Sequence, residues 1–500
     1  MEQLVNGFVA SVSLLNLSVC FVGALIGTMV GVLPGLGPAA TMAITLPFTL
    51  RFGPAAGIIM LTGIWYGAQY GGSTTSILVN IPGESSSVVT CFDGYQMAKK
   101  GRAGAALTTV ALGSFIAGTI GIIGLQLFAP FLGGIVLSFG PPEYFAFLIL
   151  AFILLSSLAT QSPRKGLFML GIGIFISCIG ITDLDAVPRF TFGSDFLLGR
   201  IDFLPIAMGC FGIAEVLRIS IETYVPPVLK KIRFRELYPN KEELRRSVAP
   251  ILRGSVLGFF VGLLPGPAVV ISTFLSYTVE KKLSKTPEKF GTGMIEGVAG
   301  PEAANNSAVI AALIALLTLG IPFGPPSAIL LAALRMQNVE PGPMLFVNNP
   351  QIFWTFIASL YIGNFMLLIL NLPLVGFFAR IAVITPKVLM PIISILCLVG
   401  VYAVRNSFID VWLMIVAGIV GYFFNVWQYP IAPLVIGLIL GPMIENNLMQ
   451  SLILFKGDLS LFTERPIAMA FLLVSVAYLL FKILYGVSQR GKKAPALAEE

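Results

Sequence analysis

The sequence predicts an all-α membrane protein that crosses the bilayer many times. Of its 500 residues, 56% are hydrophobic and 11% are charged, and the mean hydropathy is +0.92. Soluble domains carry about 25% charged residues, so this composition suits a bilayer better than water. Charge-free apolar runs recur along the chain, for example at 103–128 and 352–374. A helix needs roughly 20 apolar residues to span a bilayer, and we expect about 11–14 membrane segments, half-length ones included.

The composition excludes several classes of chemistry. The chain has no histidine, which removes Ser-His and Cys-His nucleophiles and any histidine-rich metal site. Its five cysteines show no CxxC spacing, and no glycine-rich loop ends in the GK[ST] motif that holds ATP phosphates. We therefore expect neither an enzyme nor a resident cofactor, and no nucleic-acid partner.

A repeat divides the chain into two related parts. GTMVGVLPG at 27–35 and GFFVGLLPG at 258–266 agree at six of nine positions. GAQYGGSTTS at 67–76 is paired in this interpretation with GPEAANNSA at 300–308, and NIPGESSSV at 80–88 with GIPFGPPSAI at 320–329. Three landmarks in the same order indicate a duplication.

Basic residues in the loops predict that the two copies are inverted. One basic residue, Arg51, follows the first LPG motif, whereas the loop closing that copy, 99–102, holds three. The second copy reverses the order: four lysines follow its motif at 281–289, and Arg335 alone closes it. Lys and Arg accumulate on the cytoplasmic side, and inverted repeats are typical of secondary transporters with a midplane site.

Each LPG motif is predicted to form the tip of a re-entrant hairpin. The hairpins would cover 19–50 and 251–279, with arms of about 14 residues that are too short to cross a core of about 30 Å. The predicted tips are Pro34, Gly35, Pro265 and Gly266. The alternative is a pair of short tilted helices with a proline kink.

The predicted organisation has five parts. Residues 1–221 form the first repeat with its following helices, 222–250 a cytoplasmic amphipathic linker, and 251–349 the core of the second repeat. Residues 350–486 form C-terminal scaffold helices, and 487–500 a disordered tail. Basic residues in that tail place the C-terminus in the cytoplasm.

Polar segments inside apolar surroundings are the predicted binding elements. We expect broken helices at 71–76 and 303–307, whose helix N-termini would offer free N–H groups and positive partial charge to a carboxylate. Carbonyls at the breaks would hold Na⁺. Proline-containing breaks at 82–87 and 324–327 would add a serine-lined loop. The alternative is that these Ser and Thr residues cap helices or bond to nearby carbonyls.

The predicted ligands follow from these segments. The substrate-binding set is Ser73, Thr74, Thr75, Gly83, Ser85, Ser86, Asn305, Asn306, Ser307, Pro326 and Ser327. The set predicted for Na⁺ is Gly35, Gly72, Ser76, Gly266 and Asn305. Ionisable residues within the membrane are functional candidates by default, and Glu302 could ligate a cation or carry a proton.

The motifs resemble those of one family. GVLPGLGPAATMAITLPFT, YGGSTTSILVNIPGESSSVVT and GPEAANNSAVIAALIALLTLGIPFGPPSAI are similar to the large membrane permease subunit of the tripartite tricarboxylate transporters, the TctA family. The resemblance covers roughly residues 10–450. It implies a small four-helix membrane subunit and a periplasmic solute-binding protein as partners, in a bacterial inner membrane. It also implies uptake of tricarboxylates or related organic acids, driven by an ion gradient (usually Na⁺, otherwise H⁺) without ATP.

A channel for small anions or solutes remains the alternative function, because channels also use re-entrant Pro-Gly hairpins. The absence of histidine argues against a membrane enzyme, and the matched polar segments argue against a pure scaffold.

Overall fold

The computed structural model describes residues 2–33, 37–136, 139–158, 163–182, 186–221, 238–372 and 386–492. These residues form an α-helical membrane protein, as predicted. Seven of the described helices are long and apolar enough to cross a bilayer, and four shorter apolar helices accompany them. Together they reach the lower end of the predicted number of membrane segments.

The first half contains these helices: α1 (Glu2–Ser11), α2 (Leu14–Val32), α3 (Pro38–Thr49), α4 (Pro54–Val79), α5 (Val88–Lys99), α6 (Ala103–Val136), α7 (Pro141–Leu158), α8 (Pro163–Ser177), α9 (Asp195–Leu198), α10 (Phe203–Met208) and α11 (Ala214–Ile221). A π-helical turn, Gly209–Ile213, joins α10 to α11. Two short antiparallel strands, β1 (Gly180–Ile181) and β2 (Pro188–Arg189), precede α9.

The second half contains these helices: α12 (Lys241–Gly262), α13 (Ala268–Leu283), α14 (Glu296–Leu319), α15 (Pro325–Met336), α16 (Pro343–Asn348), α17 (Pro350–Asn371), α18 (Pro386–Arg405), α19 (Phe408–Val426), α20 (Ile431–Leu454) and α21 (Pro466–Lys492). Short 3-10 turns lie at Leu50–Phe52, Ser85–Ser87, Pro287–Lys289 and Leu459–Glu464.

A row of glycines brings α2 against α4. Gly23, Gly27 and Gly31 face the carbonyl oxygens of Met60, Ile64 and Ala68, and a side chain at any of the three glycines would collide with that oxygen. Small residues let membrane helices approach until their backbones touch, where Cα–H groups can contact carbonyls. The close approach fixes the height of α2 relative to α4.

The same contact recurs between α12 and α14. Gly254, Gly258 and Gly262 face the carbonyl oxygens of Gly300, Ala304 and Ala308. Within each triplet the glycines are about one helical turn apart. Both triplets belong to the repeated LPG segments. The two halves are therefore related in packing as well as in sequence.

This packing corrects the pairing of the polar segments. Ala308 occupies the place in α14 that Ala68 occupies in α4. When residues are counted from these two alanines, 71–76 of α4 corresponds to the apolar stretch 311–316 of α14. In the same way, 303–307 of α14 corresponds to 63–67 of α4. The two polar segments therefore lie at different heights of equivalent helices, and their predicted equivalence is wrong.

The predicted helix breaks at 71–76 and 303–307 are also wrong. Both segments lie inside continuous helices, α4 and α14. Their polar side chains bond to carbonyls of the same helix: Thr75 and Ser76 donate to Gly72 O, and Asn306 donates to Glu302 O. The helices end later, where Asn80 and Gly320 take left-handed backbone angles just before a proline.

The two LPG hairpins have unequal arms. Their first arms, α2 and α12, begin earlier than the predicted boundaries at 19 and 251. Ser13 caps α2, and a reciprocal pair of hydrogen bonds between Asn240 and Glu243 caps α12. The second arm of the first hairpin, α3, has 12 residues, about 18 Å at 1.5 Å per residue, which is too short to span a bilayer.

Three other domain boundaries lie in or near described residues. The linker predicted at 222–250 overlaps α12, and its residues 222–237 lie outside the described part. Helix α21 continues to Lys492, past the predicted start of the tail at 487, and 493–500 lie outside the described part. Helix α17, predicted to belong to the C-terminal scaffold, packs against α1, α2, α4 and α6 instead.

Asp93 of α5 links the first repeat to the second. Its buried carboxylate accepts hydrogen bonds from the backbone N–H groups of Gly291, Gly293 and Met294 and from the hydroxyl of Tyr277. The loop between α13 and α14 is thereby held against α5. Hydrogen bonds to a carboxylate are among the stronger ones in proteins, so this contact ties α5 firmly to the loop.

Replacing one interhelical glycine should destabilise the protein. In Gly258→Ala the new methyl group would overlap the Ala304 carbonyl, and overpacking of this kind costs about 1–3 kcal/mol. Thermal unfolding in detergent should show a lower Tm than for the unsubstituted chain. Gly134→Ala in α6 is the control, because a methyl group there meets no neighbour; equal Tm values for both variants would contradict the packing account.

Candidate functional site

A cavity of about 420 Å³ lies where the two repeats meet. That volume falls within the range of small-molecule sites, roughly 300–1,000 Å³. Four chain segments line it, two from each repeat: 37–39, 83–86, 266–270 and 323–327. Trp65, Gln69 and Ala312 complete the wall.

Four helices begin at this cavity. Helix α3 begins at Pro38, α13 at Ala268, and α15 at Pro325, while the 3-10 turn Ser85–Ser87 leads directly into α5. Each helix N-terminus presents unbonded N–H groups and a partial charge of about +0.5. The four partial charges act on one small volume, which makes the cavity attractive to an anion.

The four N-termini divide into two kinds. At the breaks, the hydroxyls of Ser87 and Ser327 accept the backbone N–H groups of Glu84 and Gly324. At the hairpin tips, neither Gly37 nor Pro267 caps its helix with a side chain. None of the four N-cap residues bonds through its side chain to the first-turn N–H groups of its own helix, but α15 begins with two prolines, which have no N–H group.

A small polar network lines the first-repeat wall. Gln69 Nε2 donates to Glu84 Oε2 at 3.0 Å, and Ser86 Oγ donates to Glu84 Oε1 at 2.7 Å. Ser85 is exposed to the cavity. The remaining wall is largely apolar, with Trp65, Val269 and Phe323 available to pack against the carbon skeleton of a ligand.

A second polar cluster lies buried in the adjacent helices. Glu302, on α14, is 1% exposed and accepts hydrogen bonds from Thr90 Oγ1 at 3.1 Å and from Asn306 Nδ2 at 3.4 Å. Asn306 Nδ2 also donates to Ser114 Oγ at 2.7 Å. Asn305 faces Glu84, and Ser73 faces Glu302.

The predicted substrate ligands divide between these two places. Gly83, Ser85, Ser86, Pro326 and Ser327 line the cavity, as does the hairpin-tip residue Gly266. The other predicted ligands are buried in α4 and α14, outside the lining: Ser73, Thr74, Thr75, Asn305, Asn306 and Ser307. Pro265 is adjacent to the lining residue Gly266, and Pro34 and Gly35 lie outside the described residues.

The residues predicted for Na⁺ that the structure describes lie at the cavity and in the helices beside it. The Gly72 carbonyl already accepts hydrogen bonds from Ser76, Thr75 and the N–H of Gly83. Gly266 lies in the cavity wall, and Asn305 is buried in α14. Gly35 lies outside the described residues.

Several lining residues were not among the predicted ligands. Gln69 and Trp65 lie on α4 beside the polar segment, and Pro38 and Ala268 open the short hairpin arms. The Gly-Pro steps at 37–38 and 266–267 could have indicated the helix starts, because proline is favoured in the first turn. No comparable sequence signal identifies Trp65, because its position does not differ from that of other apolar residues in the helix.

A second, larger groove of about 600 Å³ lies beside α12 and α13. Its wall is charged: Arg246 pairs with Glu296 and Arg253 with Glu280, and Arg245, Lys285 and Lys289 also line the groove. The hydrogen-bonded Glu296 carboxylate raises the pKa of Arg246. With five basic and three acidic lining residues the groove keeps a positive excess, and its lining includes none of the starts of α3, α5, α13 and α15.

These features define a multi-pass membrane protein with an internal cavity suited to an anion. The family model of the "Tripartite tricarboxylate transporter TctA family" matches residues 17–436, and the chain belongs to this family. TctA proteins are the membrane permeases of tripartite transporters, which also include a binding protein and a small membrane subunit. The chain is thus a transporter component.

Two curated relatives come from Agrobacterium vitis. An uncharacterised 52.8 kDa protein of the TAR-I ttuC' 3' region is 45% identical over 494 residues, covering 99% of this chain and 98% of the relative. An uncharacterised protein of the TAR-II ttuC' 3' region is 41% identical over 243 residues, covering 49% of this chain and all of the relative. No solved structure matches the chain.

Cysteine labelling should separate the cavity wall from the buried cluster. In a background without the five native cysteines, we expect Ser85→Cys to react with a charged thiol reagent, because Ser85 is exposed at the cavity. Ser73→Cys should remain unreactive, because Ser73 is fully buried. Mass spectrometry of the labelled protein measures both; equal labelling of the two variants would contradict the assignment.

Proposed function

We propose that this chain is the permease through which a tripartite transporter imports tricarboxylates or related organic acids by cation symport, with Na⁺ as the cation. The convergence of four helix N-termini on one cavity carries the proposal. Carboxylates are the natural ligands of such N-termini, and family membership supports the same substrate class. The family does not identify which carboxylate is carried.

The substrate would bind with its carboxylates toward α3 and α13. Neither helix has a side-chain cap, and N–H groups of a first helical turn have no partner within the helix, so they can donate to the substrate. Ser85 and the Gln69 amide would contribute neutral hydrogen bonds, and Trp65 and Phe323 would pack against the methylene groups. Glu84 disfavours an anion nearby unless its charge is offset.

Transport would follow from inverted repeats around this cavity. The swapped positions of the basic loops, with four lysines at 281–289 against the single Arg51, support opposite orientations of the two LPG hairpins. The hairpins would then be re-entrant from opposite sides, and the cavity would open to each side in turn. The Asp93 contacts favour movement of both repeats together, an elevator-like motion relative to the other helices.

The partners and location follow from the family. We propose that a small four-helix membrane subunit and a periplasmic solute-binding protein act with this chain in a bacterial inner membrane. The basic C-terminal residues at 490–493 support a cytoplasmic C-terminus. The binding protein would hold much of the substrate specificity.

Uptake into proteoliposomes tests the proposal. Vesicles holding this chain, its small subunit and its binding protein should accumulate a labelled carboxylate, with citrate tested first, only with an inward Na⁺ gradient. Ser85→Asp adds a negative charge at the cavity and should raise the KM at least about tenfold, equivalent to roughly 1.4 kcal/mol.

Ser85→Asn is the matched neutral control and should stay near the unsubstituted KM. Ser220→Asp places the same charge on an exposed residue of α11 outside the cavity and should also leave KM unchanged. Equilibration without accumulation, independent of the gradient, would contradict symport and favour a channel.

A further inference from the structure

Glu302 is a buried carboxylate without a cationic partner. It is 1% exposed in the middle of α14, and within the described residues neither Glu302 nor Glu84 forms an ion pair with Lys or Arg. Its hydrogen bonds come from neutral groups, Thr90 and Asn306. The negative charge of Glu84 lies near enough to act on it unfavourably. An ionised carboxylate in such surroundings needs a compensating charge.

Unpaired oxygen atoms surround this carboxylate. Within the described residues, Ser73 Oγ, Asn305 Oδ1 and Asn306 Oδ1 are buried and have no hydrogen-bond partner. Ser73 faces Glu302, and Asn305 belongs to the same helix and faces Glu84. A buried polar atom left unpaired loses the hydrogen bonds that it makes with water in the unfolded chain. Two of them beside Glu302 and the third beside Glu84 indicate a missing ligand.

We infer that this cluster binds a monovalent metal cation, Na⁺. The ligands would be oxygen atoms of Ser73, Thr90, Glu302, Asn305 and Asn306. Hard oxygen ligands favour Na⁺, Mg²⁺ or Ca²⁺ over softer metals. A single carboxylate among neutral oxygens matches one positive charge, whereas divalent sites usually draw on more carboxylates or on bound water.

The cluster communicates with the cavity through Glu84. The Asn305 amide faces the Glu84 carboxylate, and that carboxylate bonds to Gln69 and Ser86 in the cavity wall. A cation beside Glu302 would offset the negative charge that otherwise disfavours an anion in the cavity. This role as the coupling-ion site rests on the proposed function, whereas the binding itself does not.

Direct binding of ²²Na⁺ to the purified full-length chain tests the site without any substrate. Scintillation proximity should show saturable binding that excess Na⁺ displaces and equimolar K⁺ or Ca²⁺ does not. Glu302→Gln and Asn305→Ala should each weaken the affinity at least about tenfold, since even outer-shell changes at metal sites cost roughly 10- to 100-fold.

Glu143→Gln is the matched control. Glu143 is another buried carboxylate, but it accepts the Gly140 N–H and lies beside Arg465, so its loss should leave ²²Na⁺ binding unchanged. Asn305→Ala breaks no hydrogen bond and should retain its Tm without Na⁺. This variant therefore tests the site even if Glu302→Gln fails to fold.

The outcomes separate the site from the proposed function. Absence of saturable ²²Na⁺ binding, or binding that both variants leave intact, overturns the site. If the variants lose ²²Na⁺ binding but their uptake stays Na⁺-dependent, this cluster is not the coupling site. Symport itself is then not contradicted. If the unsubstituted chain binds ²²Na⁺, the two variants weaken that binding, and uptake does not depend on the Na⁺ gradient, the site is supported and symport is contradicted.

Discussion

The close contact between glycines and carbonyl oxygens positions the rest of the structure. Gly23, Gly27 and Gly31 let α2 lie directly on α4, and the equivalent triplet does the same for α12 on α14. Because side chains do not separate the backbones, each hairpin is held at one height on its long helix. That height brings the starts of α3 and α13 level with the breaks that follow α4 and α14. A cavity surrounded by helix N-termini results.

The electrostatics of the two polar regions are complementary. The cavity gathers positive partial charge from four helix ends, while Glu84 in its wall and Glu302 in α14 have no basic partner among the described residues. An anion bound alone would be repelled by the two carboxylates. A cation bound alone would be repelled by the positive partial charges of the helix ends. A carboxylate and a cation bound together would neutralise each other, as the proposed symport requires.

The sequence predicted the class of protein and six of the twenty residues that line the cavity. Pro and Gly at 82–83, 265–266 and 324–326 marked positions where helices start or stop, and those positions lie in or next to the cavity wall. The polar segments at 71–76 and 303–307 were misinterpreted, because composition does not tell whether a hydroxyl bonds to its own helix or to a ligand. The start of α12 was recognisable from the Asn240–Glu243 capping pair, whereas the packing of α17 depends on tertiary contacts that no local pattern records.

The most direct test is a structure of the full chain with a bound carboxylate, determined by cryo-electron microscopy in the presence of Na⁺. The account predicts ligand density between 37–39, 83–86, 266–270 and 323–327, with carboxylate oxygens within hydrogen-bond distance of backbone N–H groups at the starts of α3 or α13. Density in the groove beside Arg246 and Arg253, with this cavity empty, would contradict it.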